Sequence, residues 1–563
     1  MRPLKGYTIC IRIALVFIAL SVPLLTGNRT TAQDGDRDLF IFRDVLSEKG
    51  LDGVINEEKF RTHAAAFGDV DGDGWLDLYV GTMSGDFPSV FYWNDHGTFT
   101  PDTDSAITKA GIGRAAAAVF ADLDNDGHLD LYVSNHGGLP TPPHNQPNLL
   151  FQGLPGRKMK RIKDSGATPS MVGRCIAVMD YNGDGLLDLF IASAPDKRSY
   201  LFRNKGGLRF EEDINAGVPT DVFGLGVAVA DLTGNGWPDF IVAGVNRLFL
   251  NKGDGTFREA TELVDMRNED YNNEGNTDYC GVAFGDVNRD GLSDIVTGFH
   301  TRFSWSTDAK PVRLFINRGV TVDKASFEDV TEHAGFQNVH MKIPHVEVQD
   351  FDNDGWPDIL TSTVVYQNDQ TYPLIYRNMG CEPGDVPRFV ESTLRHRPDF
   401  PSAQDLSVTE DPWDFYDTVP TDLRVFYYPL GPTGDFDNDG RLDIFFSRGF
   451  PKTPSLLLRN ETPGGHWIDV EIEGSDGINK QGIGTIIKAY RPGRHGEAAA
   501  LICEKEIAVC YGYSSGQPAI VHLGLGTDRS CDLDVIFPHG KGRIVRKNQK
   551  ADQRIVIKST DAE

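Results

Sequence analysis

One nine-residue pattern, met seven times, constrains this chain more than any other feature. At its first occurrence Asp69, Asp71 and Asp73 alternate, Gly74 follows, and Asp77 closes the stretch DVDGDGWLD. Alternating carboxylates around a tight glycine turn can surround one hard cation with oxygen ligands. The pattern returns as Asp122, Asp124, Asp126, Asp130, and as Asp180, Asn182, Asp184, Asp188. It continues as Asp231, Thr233, Asn235, Asp239, then Asp286, Asn288, Asp290, Asp294. The last two copies are Asp350, Asp352, Asp354, Asp358 and Asp435, Asp437, Asp439, Asp443. The sixth position is always glycine (Gly74, Gly127, Gly185, Gly236, Gly291, Gly355, Gly440), which suits a positive φ.

The flanks decide which metal motif this is. An EF-hand carries helices on both sides and a Glu at position twelve. Here the flanks are strand-like (AAAVFADL and LDLYVSN, GVAVADL and PDFIVAG), and the last ligand is an Asp at position nine. Side-chain oxygens of positions one, three, five and nine are the expected ligands. The backbone carbonyl of position seven adds another: Trp75, His128, Leu186, Trp237, Leu292, Trp356 or Arg441. The chain is thus expected to hold up to seven calcium ions. Loops one, two, six and seven carry four carboxylates, three and five carry three, and the fourth only two. Fewer ligand charges weaken calcium binding, so the fourth loop is expected to be the weakest. Carboxylate loops filled by their own ligands leave little room for substrate, so calcium reads as structural here rather than catalytic.

Each repeat has a second half, a strand, a turn with Asn and often Gly, and another strand, as in YLFRNKGGLRFEED and RLFLNKGDGTFREA. Four strands per repeat is the unit of a propeller blade, and a period of roughly 50–60 residues fits a stacked array. The expected fold is all-β: a seven-bladed β-propeller with a small C-terminal β-sandwich-like domain. The seventh repeat lacks its fourth strand, while FIFRDVLSEKG at 40–50 resembles FEDVTEHAG at 327–335. The N-terminal strand is therefore expected to complete the last blade and close the ring, which protects two sheet edges.

These repeats resemble the FG-GAP (VCBS) repeats of integrin α-like propellers. The tail, GGHWIDVEIEG, NKQGIGTIIKAY, YGYSSGQPAIVHLGLG and LDVIFPHGKG, resembles the ASPIC/UnbV domain that follows such propellers in cartilage-acidic-protein-like proteins. FPHG, where the family tends to have Trp before the proline, and Cys510 near the usual glycine of GYxS are departures. The domains expected are a signal peptide at 1–33, the propeller at 37–462 and the ASPIC/UnbV domain at 464–557. The resemblance implies a secreted calcium-binding propeller protein; it implies no settled activity.

Arg2, Lys5 and Arg12 before the apolar run IALVFIALSVPLL read as a cleavable secretory signal. The run is shorter than the ~20 residues a span needs, and Pro23 interrupts it, so no transmembrane segment is expected in the mature chain. The destination is extracellular or periplasmic. A formal net charge of -26 argues against nucleic acid as partner, and most of it is local to the seven loops. Six cysteines outside the leader show no zinc-ligand spacing; any pairing would fall among Cys503, Cys510 and Cys531.

Function is expected on the face opposite the metal loops. Long irregular stretches fall there: 136–146, 299–311 and 395–429, the last with Trp413, Tyr427 and Tyr428 among acids. Rings and acids together suit a glycan or a protein ligand. Eight positions before each first loop aspartate lie Arg61, Arg114, Val172, Phe223, Asp278, Lys342 and Tyr427, with His63 and His345 nearby. This channel mouth could hold an anion or run acid–base chemistry. Three readings follow. The first is a non-enzymatic adhesion or scaffold protein. The second is a secreted lyase, hydratase or isomerase on a carbohydrate or secondary metabolite, with its site at the mouth. In the third, the C-terminal domain recognises and the propeller is a spacer. No nucleophile elbow, Walker loop or HExxH is present.

Overall fold

The computed structural model describes residues 40–562 apart from 58–59, 84–86, 111–112, 137–145, 194–197, 262–276, 302–309, 338–340, 368–369, 393–423, 429–430 and 450–453. The signal-peptide expectation and Trp413 lie outside the described residues, as do most of the three long stretches.

The apolar runs flanking each loop form the two inner strands of an antiparallel sheet, and the loop is their connection. In the first repeat Thr62–Gly68 pairs with Asp77–Thr82, then Val90–Asn94 and Phe99–Pro101. The same four-strand order recurs in each later repeat. The last sheet takes its outer strand from the N-terminus: Phe42–Asp44 pairs antiparallel with Leu456–Asn460, Phe42 opposite Asn460. The fold is thus all-β and propeller-like.

Two recurring side-chain bonds tie neighbouring sheets together. The first comes from the Asn of the third strand. Its carboxamide donates to the carbonyl of loop position two in the preceding repeat: Asn204 to Leu123 (2.7 Å), Asn251 to Tyr181 (2.9 Å), Asn378 to Val287 (2.9 Å), Asn460 to Phe351 (2.7 Å). Asn94 of the first repeat makes it to Phe436 of the last, at 2.9 Å. The second comes from loop position four, where the backbone again has positive φ. Asn125 donates to Gly185 O (2.8 Å) and Asn353 to Gly440 O (2.9 Å), each reaching the next loop, and Asn438 of the last loop donates to Gly74 O of the first (3.0 Å). Apolar cores follow the same path. Phe67 and Leu78 of the first sheet share a buried cluster with Phe436, Phe445 and Leu457 of the last.

The C-terminal region forms two further sheets. One is Val521–Gly526, His466–Glu473 and Gln553–Lys558; the other is Leu501–Glu506, Ile486–Tyr490, Ser530–Ile536 and Arg543–Lys550. Its core is continuous with that of the second and third repeats: Ile176, Leu189 and Phe202 cluster with Ile487, Leu523 and Leu533. All six described cysteines are free thiols, Cys503, Cys510 and Cys531 among them.

This region lies across the metal-loop face. Arg554 donates to Gly74 O (3.2 Å) and to Asn438 Oδ1 (3.0 Å). The Asp122 N–H donates to Gln481 and the Lys480 N–H to Asn125. His539 contacts Asp180 O through Nε2 (3.0 Å), and its N–H donates to Gly236 O (2.6 Å). His522 bridges Asp469 and Asn353, at 2.7 Å each.

From the same domain, residues 507–520 descend between the inner strands. Gly512 exchanges backbone bonds with Val282 of the fifth repeat. Ser515–Gly516 pairs in parallel with Ala65 and Ala66 of the first. The Tyr513 N–H donates to His345 Nδ1 (3.0 Å), and the Gln517 carboxamide bonds Glu347 (2.6 Å) and the Thr433 N–H (2.8 Å). The segment plugs the space the inner strands surround, so propeller and C-terminal domain share hydrogen bonds and core.

Candidate functional site

Six of the seven loops are wired alike. The first aspartate accepts the N–H groups of positions five and six, as Asp69 does from Asp73 (3.0 Å) and Gly74 (2.9 Å). In the third loop Asp180 accepts from Gly183 and Gly185, and the Asp184 N–H donates to Asn182. The ninth-position aspartate is fully buried in all seven loops. In the first it accepts from Val70 N (2.9 Å) and Asn94 N (2.8 Å), and in the last from Phe436 N (3.2 Å) and Asn460 N (2.8 Å). The sixth-position glycines take φ of 83–91°, as the turn demands.

Carboxylate oxygens converge within 4.8 Å in four loops: Asp69, Asp71, Asp77; Asp122, Asp124, Asp130; Asp350, Asp352, Asp358; and Asp435, Asp437, Asp443. These are the four with a full acidic set. Such convergence is costly without a cation. Burial first, then the neighbouring carboxylates, push Asp130 up to about 8 and Asp435 up to about 7. Among the described residues, Asp124 Oδ1, Asp352 Oδ1 and Asp437 Oδ1, all at position three, are buried without a hydrogen-bond partner. One orphaned acceptor beside the converging carboxylates of its own loop fits a hard divalent cation bound by oxygen. These Asp clusters could hold metal ions.

Positions seven (Trp75, His128, Leu186, Trp237, Leu292, Trp356, Arg441) hydrogen-bond through their N–H to the position-five side chain, as Trp75 does to Asp73 at 3.0 Å and Arg441 to Asp439 at 3.1 Å. The fourth loop has an acid from outside the repeat: Glu506 of the C-terminal domain accepts from Asp231 N at 2.9 Å. No sequence pattern flags that contact, because the partners stand far apart in the chain.

The opposite mouth differs from its expected composition. Arg61 is exposed, while Arg114 and Lys342 are buried. His345 is not at an open mouth. It is fully buried beneath the plug, with Nε2 against Glu347 (2.7 Å) and Nδ1 accepting from Tyr513. Tyr428 is a core residue against Phe446, fully buried, its hydroxyl on Pro454 O. Only the backbone of Asp278 and Tyr427 is described; they sit on the strands Thr277–Gly285 and Arg424–Tyr427.

Within electrostatic reach of one another at this level are His63, His136, Arg174, His300 and Lys342, with Arg114 beside His136. The inner strand of most repeats carries a β-bulge at this level, between Thr62 and Ala64 and between Gly173 and Ile176, for example. A bulge re-aims the extra side chain, and the bulged residues include His63 and Arg174. His63 Nδ1 lies 3.2 Å from the Tyr513 hydroxyl of the plug. Burial, then Arg174, His136 and Lys342, push His63 down to about 3. Burial, then Arg174, push His136 down to about 4. Burial lowers Lys342 to about 8.

Comparison with known proteins agrees with this architecture. A model of the FG-GAP-like repeat matches residues 69–133, 180–242 and 243–297, and one of the ASPIC and UnbV domain matches 475–563. Cartilage acidic protein 1 of Homo sapiens is 25% identical over 514 residues, 85% of this chain and 69% of that protein. The Mus musculus protein is 25% identical over 456 residues (76% and 62%), and the Xenopus tropicalis protein 24% over 516 (85% and 70%). Solved structures with a likeness include an Agrocybe aegerita lectin that recognises non-reducing terminal N-acetylglucosamine, with TM-score 0.37, 19% identity and coverage of 56% and 80%. An exotype rhamnogalacturonan lyase gives TM-score 0.35, 12% identity and coverage of 72% and 72%. Likenesses this low carry no argument about function. Among the described residues no helix is long and apolar enough to cross a membrane.

Proposed function

We propose that this chain, FG-GAP-like repeats followed by an ASPIC/UnbV domain and homologous to cartilage acidic protein 1, is a secreted calcium-binding scaffold. It presents the face opposite its metal loops to a protein or glycan outside the cell. The observation that carries this reading is the placement of the C-terminal domain. It covers the metal-loop face through Arg554, Lys480, His539 and His522 and fills the interior through Tyr513 and Gln517. Calcium in the loops stiffens the surface on which that domain sits, and the opposite face is left for a partner. The FG-GAP-like repeats and the homologues support a non-enzymatic extracellular protein.

The test is binding of the calcium-loaded full chain to an immobilised panel of extracellular-matrix proteins and glycans. Saturable, chelator-sensitive binding that leaves the ligand intact supports the reading; binding that persists unchanged in chelator contradicts it.

A second reading, an enzyme with its site at the mouth, has one specific observation in its favour. His63 is held as a neutral imidazole beside a tyrosine hydroxyl, an arrangement able to pass a proton. Appearance of product from a bound panel member would establish it.

A further inference from the structure

The side chains at the mouth are cationic (Arg114, Arg174, Lys342) or neutral imidazoles (His63, His136, His300), with no carboxylate in the set, and come from different repeats. His63 and Arg174 stand six positions before the first loop aspartate of their repeats, and each lies in the inner-strand bulge. His136 and His300 stand six positions after the last loop aspartate of theirs, at the matching end of the second strand. Backbone bonds hold these positions together. The His136 N–H donates to Arg114 O (2.7 Å), and His136 bridges to Val172, two residues from Arg174. Phe299 and Ile343 exchange two bonds (2.6 and 2.7 Å), which sets His300 beside Lys342. Tyr513, from the plug, closes the floor against His63.

The charges act on one another across the mouth. Arg174 acts on His63, His136, His300 and Tyr513, and Lys342 acts on His63 and His300. Among the described residues, Arg174 Nε and His136 Nδ1 are buried and lack a hydrogen-bond partner, and His136 is only 6% exposed. A buried donor left unmet costs free energy, as does gathering guanidinium, ammonium and imidazole groups in one desolvated place. Neither burden helps the propeller fold. Both are relieved by an oxygen anion, which a guanidinium fork matches and which accepts from an ammonium, an imidazole N–H and a phenol together.

We propose that the channel mouth, built by His63, Arg114, His136, Arg174, His300 and Lys342 over Tyr513, is a binding site for an oxyanion group, the carboxylate or sulfate of a small molecule or of an acidic sugar. The proposal deepens the reading of the opposite face as the ligand face and rests on it. Affinity falls with ionic strength less steeply than for an exposed patch, because these groups are withdrawn from solvent.

The experiment titrates sodium glucuronate, sodium sulfate and neutral glucose into the calcium-loaded full chain by calorimetry, with chloride making up constant ionic strength. Glucuronate and sulfate saturate one site per chain and glucose does not. Arg174→Met and Lys342→Met each weaken the anion at least tenfold, the loss typical of a charge-assisted bond. A more favourable result with glucuronate than with sulfate assigns the site to acidic sugars; the reverse assigns it to sulfated ligands. Retention of the wild-type calcium-dependent melting shift shows that a variant is folded. If Arg174→Met fails that control, His136→Gln, which alters a single orphaned nitrogen, takes its place. The proposal is overturned if neither anion binds saturably into the millimolar range, or if the folded variants bind them as the wild type does. Matrix binding that survives such a result leaves the broader reading standing, while anion binding without any matrix ligand sinks only the broader one.

Discussion

Asn94 gives the sharpest test of how the first and last repeats are joined. Its side chain is fully buried. Nδ2 donates to Leu76 O (3.0 Å) and Phe436 O (2.9 Å), and Oδ1 accepts from Gly97 N (2.8 Å). Asn94→Ala removes all three bonds and leaves three backbone groups to find partners. Gly97 is itself buried, so its N–H and the two carbonyls are all left in the interior. At about 1–3 kcal/mol for each group stranded there, the expected loss is about 3 kcal/mol or more. The comparator is Asn251→Ala at an internal junction, where Nδ2 donates to Tyr181 O (2.9 Å) and Oδ1 accepts from Gly253 N (3.0 Å). Urea unfolding in saturating calcium reads both as a lower midpoint at unchanged slope. A loss at Asn94 at least as large as that at Asn251, which makes one side-chain bond fewer, means that the first and last repeats meet as any two neighbours do. A loss below about 1 kcal/mol for Asn94→Ala, with the full loss at Asn251, would refute the junction.

Other expectations follow from the same geometry. Excess chelator should lower the melting temperature strongly, since a metal bound only by the folded chain stabilises it by mass action. In that assay Asp231→Asn in the two-carboxylate loop should cost less of the calcium shift than Asp350→Asn or Asp435→Asn; the reverse order would contradict the ligand-charge argument. In calcium, the folded pKa of His63 (about 3) and His136 (about 4) lies below the ordinary 6.5, so their contribution is complete above pH 6.5 and lost as pH falls toward 4. That acid loss should be on the order of 6 kcal/mol for the pair by pH 4 and be roughly halved in His63→Gln, read as melting temperature against pH; an unchanged profile would show the imidazoles to be solvated. Arg554→Ala breaks bonds to the first and last loops and should cost about 1–3 kcal/mol, seen as faster proteolysis of the C-terminal domain.

The metal loops were legible because their logic is local. Side chains at fixed spacing around a glycine with positive φ carry the whole signal, and the four loops with a full acidic set are those whose oxygens converge. The N-terminal strand was legible because FIFRDV repeats a strand seen elsewhere in the chain. The mouth was only half legible. An eight-position offset from the loop picks out Arg114 and Lys342, but the inner strands bulge between that point and the loop, so counting crosses a change of face. His63 was noticed as a neighbour, while Arg174, His136 and His300 became visible only through their common register. The repeated Asn was seen as a turn residue. Its partner sits in the adjacent repeat, where no single-repeat pattern can show it. The segment that forms the plug was legible as part of the C-terminal domain's motif, but its place among the inner strands had no signal. Tyr513 and His345 meet across a long chain separation, through one backbone N–H and one ring nitrogen, without any periodicity to mark them.

The central claim is that the C-terminal domain seals the metal-loop face and seats 510–517 among the inner strands. Hydrogen–deuterium exchange of the full chain, with calcium and with chelator, tests it most directly. The account predicts that amides of 510–517 and of Val282 and Ala65–Ala66 are protected together in calcium and lose protection together in chelator. Rapid exchange of 510–517 in calcium, with the inner strands still protected, would show the plug unseated and contradict the account.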